Sequence, residues 1–112
     1  MKVIIIEDET RAANRLGKLL EAISDEIDIV EKLDSVATAV TYFQSAPGPD
    51  LIFMDIQLAD GLSFDIFSQV QIKTPVIFTT AFDQYTLKAF KVNSIDYLLR
   101  PIDENELRLA VE

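Results

Sequence analysis

The sequence predicts an α/β fold, a flavodoxin-like doubly wound (βα)5 sandwich on a parallel five-stranded sheet of order 2-1-3-4-5. The first observation behind this prediction is a set of short apolar runs without polar alternation, as in strands that are buried on both faces. The second is that amphipathic helical patterns separate these runs in strict alternation, which is typical of a parallel sheet. The third is the length of 112 residues, which suits a single domain of this kind.

Five strands are predicted from the apolar runs. The clearest three cover residues 3–6, 51–54 and 76–78, and a shorter one covers residues 97–99. Residues 27–33 alternate in part between polar and apolar side chains, which is typical of a strand at the edge of a sheet. One strand therefore precedes each predicted helix.

Five helices are predicted from apolar residues that recur on one helical face. Asp34 or Ser35 is expected to cap the second helix, and Asp103 with Glu106 forms a capping box at the start of the fifth. The fifth helix has no stop signal before residue 112, so we expect the chain to be part of a longer protein. The residues that indicate the first four helices are, in chain order, Leu16, Leu19, Leu20 and Ile23 for the first; Val36, Ala39, Val40 and Phe43 for the second; Ile66, Phe67 and Val70 for the third; and residues 84–92 for the fourth.

Composition excludes several kinds of chemistry. The chain has no cysteine and no histidine, which excludes Ser-His-Asp and Cys-His catalysis, zinc sites of Cys and His, thiol redox chemistry and phosphohistidine. A net charge of −9 argues against DNA binding by these residues alone and favours a cation or a basic partner. No apolar run reaches membrane-spanning length and no signal peptide is recognisable, so we expect no membrane contact and a cytoplasmic location.

Polar residues follow four of the predicted strands at the carboxyl edge of the sheet. Glu7 and Asp8 follow strand 1, Asp55 follows strand 3, Thr80 ends strand 4 and Arg100 follows strand 5. The three acids should meet where the strand order reverses. Close carboxylates repel one another, and Mg²⁺ removes this conflict because it binds carboxylates and phosphate oxygens. A carboxylate in such a site can attack phosphorus, and Asp55 is favoured because it follows four central apolar residues.

With these residues placed, the chain resembles a receiver domain of two-component response regulators over nearly its whole length, residues 1–112. Residues 53–58 (FMDIQL) resemble the phosphoacceptor segment, with Asp55 as the acceptor. Glu7 and Asp8 resemble the acids that hold Mg²⁺ or Mn²⁺ with Asp55. The resemblance also implies that the main-chain carbonyl of Gln57 binds the metal.

The resemblance assigns roles to residues on the last two strands as well. Thr80 resembles the hydroxyl switch position, Tyr97 the aromatic switch position, and Arg100 stands where the family usually has lysine. Arginine keeps the positive charge but presents a planar fork of donors. A second departure is Ala59, where proline is common, in a loop that is atypical of the family.

Residues 78–99 resemble the LytR/AlgR-type subclass, whose members usually carry a C-terminal LytTR DNA-binding domain. Residues 84–92 show two apolar stripes on opposite sides of the predicted helix, although a surface helix normally needs one. The second stripe is expected at an interface, which the family uses for dimerisation. We assign Leu87, Phe90 and Lys91 to this interface.

The sequence is therefore interpreted as a phosphorylation-controlled switch, not an enzyme, that takes a phosphoryl group from a sensor histidine kinase. Phosphorylation is expected to promote a homodimer, and DNA is reached only through the absent output domain. Three alternatives stay open. An aspartyl-phosphate hydrolase should have a second acid where Gln57 stands, a flavin or nucleotide binder should have a glycine-rich loop after strand 1, and a pseudo-receiver is never phosphorylated.

Overall fold

A computed structural model describes residues 1–45, 48–81, 94–100 and 102–111. Within these ranges no helix is long and apolar enough to cross a membrane. The predicted helix over residues 84–92 lies outside the described residues. The described elements are β1 (Lys2–Ile6), α1 (Thr10–Ile23), β2 (Asp28–Leu33), α2 (Val36–Ser45), β3 (Leu51–Met54), β4 (Gln57–Leu58), β5 (Gly61–Leu62), α3 (Phe64–Gln69), β6 (Val76–Thr80), β7 (Ser94–Leu99) and α4 (Glu104–Val111).

The central sheet has five parallel strands in the order β2-β1-β3-β6-β7. This order confirms the predicted order 2-1-3-4-5, because β4 and β5 form a separate antiparallel ribbon. The strand β2 lies at an edge of the sheet and is largely exposed, as its partial alternation predicted. The ends of β1 and β3 are adjacent, so the residues that follow them are brought side by side.

The strands are buried on both faces, and alternate residues face different helices. Ile4 and Ile6 of β1 join one apolar cluster, while Val3 and Ile5 join another. This alternation follows from the two-residue repeat of a strand, and it confirms the doubly wound arrangement. The first cluster includes Val36, Ala39 and Val40 of α2 with Phe64 and Ile66 of α3; the second includes Ala13, Leu16 and Leu20 of α1 with Leu107 of α4.

The structure differs from the predicted boundaries in three places. The strand β7 begins at Ser94 instead of residue 97, because the polar Asp96 interrupts the apolar pattern but not the backbone pairing. The helix α3 ends at Gln69, and Val70 has extended backbone angles of φ −136° and ψ 150°. The ribbon of β4 and β5 was not predicted, and its turn reaches Gly61 with a φ of +148°, a value that favours glycine.

Candidate functional site

Three carboxylates converge where β1 and β3 end. The backbone N–H of Glu7 donates to the Leu33 carbonyl at 2.9 Å, and that of Asp55 donates to the Ile6 carbonyl at 2.9 Å, so sheet pairing continues into the site. One carboxylate oxygen from each of Glu7, Asp8 and Asp55 lies within 4.8 Å of the others. Glu7 and Asp55 are buried, whereas Asp8 is exposed. The site is therefore an acidic pocket with a solvent-facing side.

Arg100 bridges two of these carboxylates from the end of β7. One guanidinium nitrogen lies 3.0 Å from Oε1 of Glu7, and the other donates to Oδ2 of Asp55 at 2.6 Å. The backbone N–H of Arg100 donates to the Thr80 carbonyl at 2.8 Å, which fixes this strand end beside β6. A lysine has a single ammonium group, so the two-pronged contact depends on arginine at this position.

The crowding of acids changes the ionisation of Glu7. Burial, and after it the negative charge of Asp55, raise the pKa of Glu7 to about 8. The backbone N–H of Glu9, at 3.2 Å from Oε2 of Glu7, and the charge of Arg100 lower this pKa, but they do not offset burial. The pocket therefore disfavours a further negative charge on Glu7 unless a cation binds there.

The donor set fits a hard divalent cation. Mg²⁺ and Mn²⁺ prefer oxygen ligands, and the pocket offers one oxygen from each of three carboxylates. Oδ1 of Asp55 is buried and has no hydrogen-bond partner among the described residues. A buried carboxylate oxygen normally has a partner, so this atom is available to a ligand. A groove of about 320 Å³ that is lined by Glu7 and Asp8 opens next to these acids.

The other predicted site residues lie around this pocket. Thr80 is fully buried at the end of β6. Gln57 begins β4 two residues after Asp55, with its side chain exposed. The ring of Tyr97 is partly buried and lies 6.4 Å from that of Phe78. The predicted interface residues Leu87, Phe90 and Lys91 lie outside the described residues.

Asp60, in the turn between β4 and β5, makes a contact that was not expected from the sequence. Its Oδ1 accepts a hydrogen bond from the backbone N–H of Val36 at 2.8 Å, and its Oδ2 accepts one from Ala37 at 3.1 Å. The Asp60-Gly61 pair is a recognisable turn signal. The helix end that it contacts lies 24 residues earlier in the chain, and no local pattern indicates that contact.

Comparison with known proteins gives consistent matches along the chain. The family model described as "Response regulator receiver domain" matches residues 3–112. The sensory transduction protein LytT of Bacillus cereus is 38% identical over 110 residues, which are 96% of this chain and 44% of that protein. The transcriptional regulatory protein LytR of Staphylococcus aureus is 36% identical in an alignment of 116 positions, which covers 99% of this chain and 46% of that protein. The chain thus spans about half the length of these curated relatives.

A solved structure has the same fold over nearly the whole chain. The response regulatory domain of protein mrkE from Klebsiella pneumoniae superposes with a TM-score of 0.84 at 32% identity. The match covers 99% of this chain and 92% of that domain.

Proposed function

The chain belongs to the family of response regulator receiver domains, and from that membership we propose that Asp55 is its phosphoacceptor. Domains of this family are signalling switches of two-component systems and generally not enzymes. The observation that carries the proposal is the environment of Asp55. Asp55 is buried at the central strand end, one of its oxygens has no partner among the described residues, and two further acids and Arg100 surround it.

The proposed step is a phosphoryl transfer to the Asp55 carboxylate. A carboxylate oxygen attacks phosphorus and forms the new oxygen–phosphorus bond, while the bond from phosphorus to the imidazole nitrogen of the kinase's phosphohistidine breaks. The leaving imidazole keeps the electron pair and takes up a proton. Water later reverses the modification by attacking the same phosphorus, which releases inorganic phosphate and restores the carboxylate.

Glu7, Asp8, Asp55 and the main-chain carbonyl of Gln57 are the proposed ligands of Mg²⁺ or Mn²⁺. A cation held there would supply electrostatic stabilisation of the charge that develops on the transferred phosphoryl group. Arg100 orients Asp55 before transfer through its 2.6 Å contact, and its guanidinium binds phosphoryl oxygens afterwards. The hydroxyl of Thr80 is the second proposed contact to those oxygens.

We assign the relay of the phosphorylated state to Thr80 and Tyr97. The backbone of Thr80 already accepts a hydrogen bond from Arg100, and Tyr97 lies on the strand paired with that of Thr80. A change at the phosphoryl group therefore reaches both residues through β6 and β7. The proposed readout is a shift between two populated states that promotes a homodimer through the interface predicted from the sequence at Leu87, Phe90 and Lys91.

The relatives support a proposal about the wider role of this domain. Response regulators act with histidine kinases, and the relatives named above are about twice as long as this chain. We assign to this domain a sensor histidine kinase as phosphodonor and a C-terminal LytTR domain that binds DNA. The cytoplasmic location expected from the sequence stays a prediction.

Intact-mass spectrometry tests the phosphoacceptor directly. The domain is incubated with acetyl phosphate and Mg²⁺, and we expect a gain of the mass of one phosphoryl group. Asp55→Asn should not gain it. Asp50→Asn is the matched control, because Asp50 lies at the opposite end of the same strand, and it should be labelled like the wild type. Equal labelling of Asp55→Asn would refute the assignment, and an unlabelled wild type would favour the pseudo-receiver.

A further inference from the structure

The first turn of α2 obtains its hydrogen bonds from two sources. The backbone N–H groups of Val36 and Ala37 donate to Asp60, at 2.8 and 3.1 Å. The N–H of Thr38 instead donates to the Ser35 hydroxyl at 3.0 Å, and the N–H of Ser35 donates back to the Thr38 hydroxyl at 3.1 Å. The start of a helix leaves its first N–H groups without helical partners. Local residues satisfy only part of this need in α2, and a residue from another segment satisfies the rest.

Asp60 is well matched to this helix end. Its carboxylate lies at the positive end of the helix dipole and accepts two N–H groups, one with each oxygen. These N–H donors lower the pKa of Asp60 below its ordinary value of 3.8, so the carboxylate is ionised at neutral pH.

The segment that contains Asp60 is stabilised by hydrogen bonds between its own residues. The backbone N–H of Ser63 donates to the Ile56 carbonyl at 2.8 Å, and Gln57 and Leu58 pair with the strand β5. Ile56 and Leu58 are buried in the cluster that also contains Val36 of α2. The segment over residues 55–63 therefore connects Asp55 directly to the ribbon, and Asp60 joins the turn of that ribbon to α2.

The start of α2 also borders the acidic groove. Leu33, Asp34 and Thr38 line the groove together with Glu7 and Asp8. The two hydrogen bonds of Asp60 thus connect the segment that follows Asp55 with the helix end that borders the groove.

We infer that Asp60 is a positioning residue for the cation site, which holds the ribbon and its Gln57 carbonyl against the start of α2. The inference rests on the proposed function, because it takes Gln57 as a cation ligand. Loss of Asp60 should leave the three acids present but allow the Gln57 carbonyl to move away from them. Groups that hydrogen-bond directly to metal ligands typically change metal affinity by about 10–100-fold when they are replaced, and because Asp60 acts through the ribbon we expect an effect at the lower end of that range.

The test measures Mg²⁺ affinity by isothermal titration calorimetry, together with the melting temperature. Asp60→Ala should bind Mg²⁺ about tenfold more weakly than the wild type. Asp60→Asn keeps one acceptor oxygen, so its Mg²⁺ affinity should lie between those of the wild type and Asp60→Ala. It replaces Asp60→Ala if that variant does not fold. Ser35→Ala is the matched control, because it removes a hydrogen bond from the same helix end without touching the ribbon.

The expected pattern is a lower melting temperature for both Asp60→Ala and Ser35→Ala, with weaker Mg²⁺ binding in the two Asp60 variants and unchanged Mg²⁺ binding in Ser35→Ala. Unchanged Mg²⁺ affinity in the Asp60 variants would overturn the inference, and so would an equal loss in Ser35→Ala. Neither result would affect the assignment of Asp55, which is read from the mass of the wild type and Asp55→Asn. Conversely, a wild type that binds Mg²⁺ but is not phosphorylated would refute the proposed function alone.

Discussion

Replacing Arg100 by alanine should destabilise the domain strongly without Mg²⁺ and much less with it. At 2.6 Å from Asp55, the guanidinium contributes an attraction of about 6 kcal/mol at an effective dielectric constant of about 20. Desolvation offsets part of this attraction, and removal of one partner from a buried ion pair costs about 3–5 kcal/mol. The side chain of Arg100 is 25% exposed, so we expect a loss near the lower end, about 3 kcal/mol.

Mg²⁺ should reduce this loss because it neutralises the same carboxylates. If the cation takes over about half of the contribution of Arg100, linkage requires Arg100→Ala to bind Mg²⁺ more tightly by about 1.4 kcal/mol, or about tenfold. Arg100→Lys keeps the charge but loses the two-pronged contact with Glu7 and Asp55, and it should lie between alanine and the wild type.

Urea unfolding in EDTA and in saturating Mg²⁺ measures these differences. Arg108→Ala is the matched control, because Arg108 pairs with Glu104 at 3.2 Å on the exposed face of α4. An exposed pair of this kind contributes at most about 1 kcal/mol, and Mg²⁺ should not change it. Equal destabilisation of Arg100→Ala with and without Mg²⁺, or a fall in its Mg²⁺ affinity, would show that Arg100 and Mg²⁺ do not neutralise the same carboxylates.

Three further predictions concern other groups. Saturation with Mg²⁺ at about 100 times its dissociation constant should stabilise the wild type by about 2.7 kcal/mol, and Asp8→Ala should lose most of this gain in thermal unfolding; an undiminished gain would contradict the ligand set. Asp60 has a lowered folded-state pKa, so it stabilises the fold above its ordinary value of 3.8 and this contribution disappears as the pH falls through the lowered pKa. Urea unfolding should therefore show a difference in the free energy of unfolding between wild type and Asp60→Asn at pH 7 that shrinks near pH 3. A difference that stays constant with pH would argue against a stabilising role of the Asp60 charge. At a net charge of −9 the isolated domain should not bind duplex DNA in a salt-dependent electrophoretic shift at physiological ionic strength, and such a shift would show a DNA surface on this domain.

The sheet could be predicted from the sequence because burial on both faces leaves a local pattern. Runs such as residues 3–6 and 51–54 are apolar without alternation, and in the structure they lie at the centre of the sheet. The convergence of Glu7, Asp8 and Asp55 follows from the same pattern, since residues after parallel strands share one edge. The start of β7 and the end of α3 were less predictable, because backbone pairing and helix length there do not follow apolar periodicity.

The tertiary structure alone decided which polar groups meet. Arg100 could be placed near the acids from the sequence, but its contact with both Glu7 and Asp55 depends on how far β7 extends beside β6. The contact of Asp60 with α2 joins segments 24 residues apart, and neither segment carries a local signal for the other. Local apolar patterns indicate which residues are buried, because the free energy of burial depends on the apolar surface of each side chain by itself. Hydrogen bonds and ion pairs require two groups at a set distance and angle, and only the packed chain determines those.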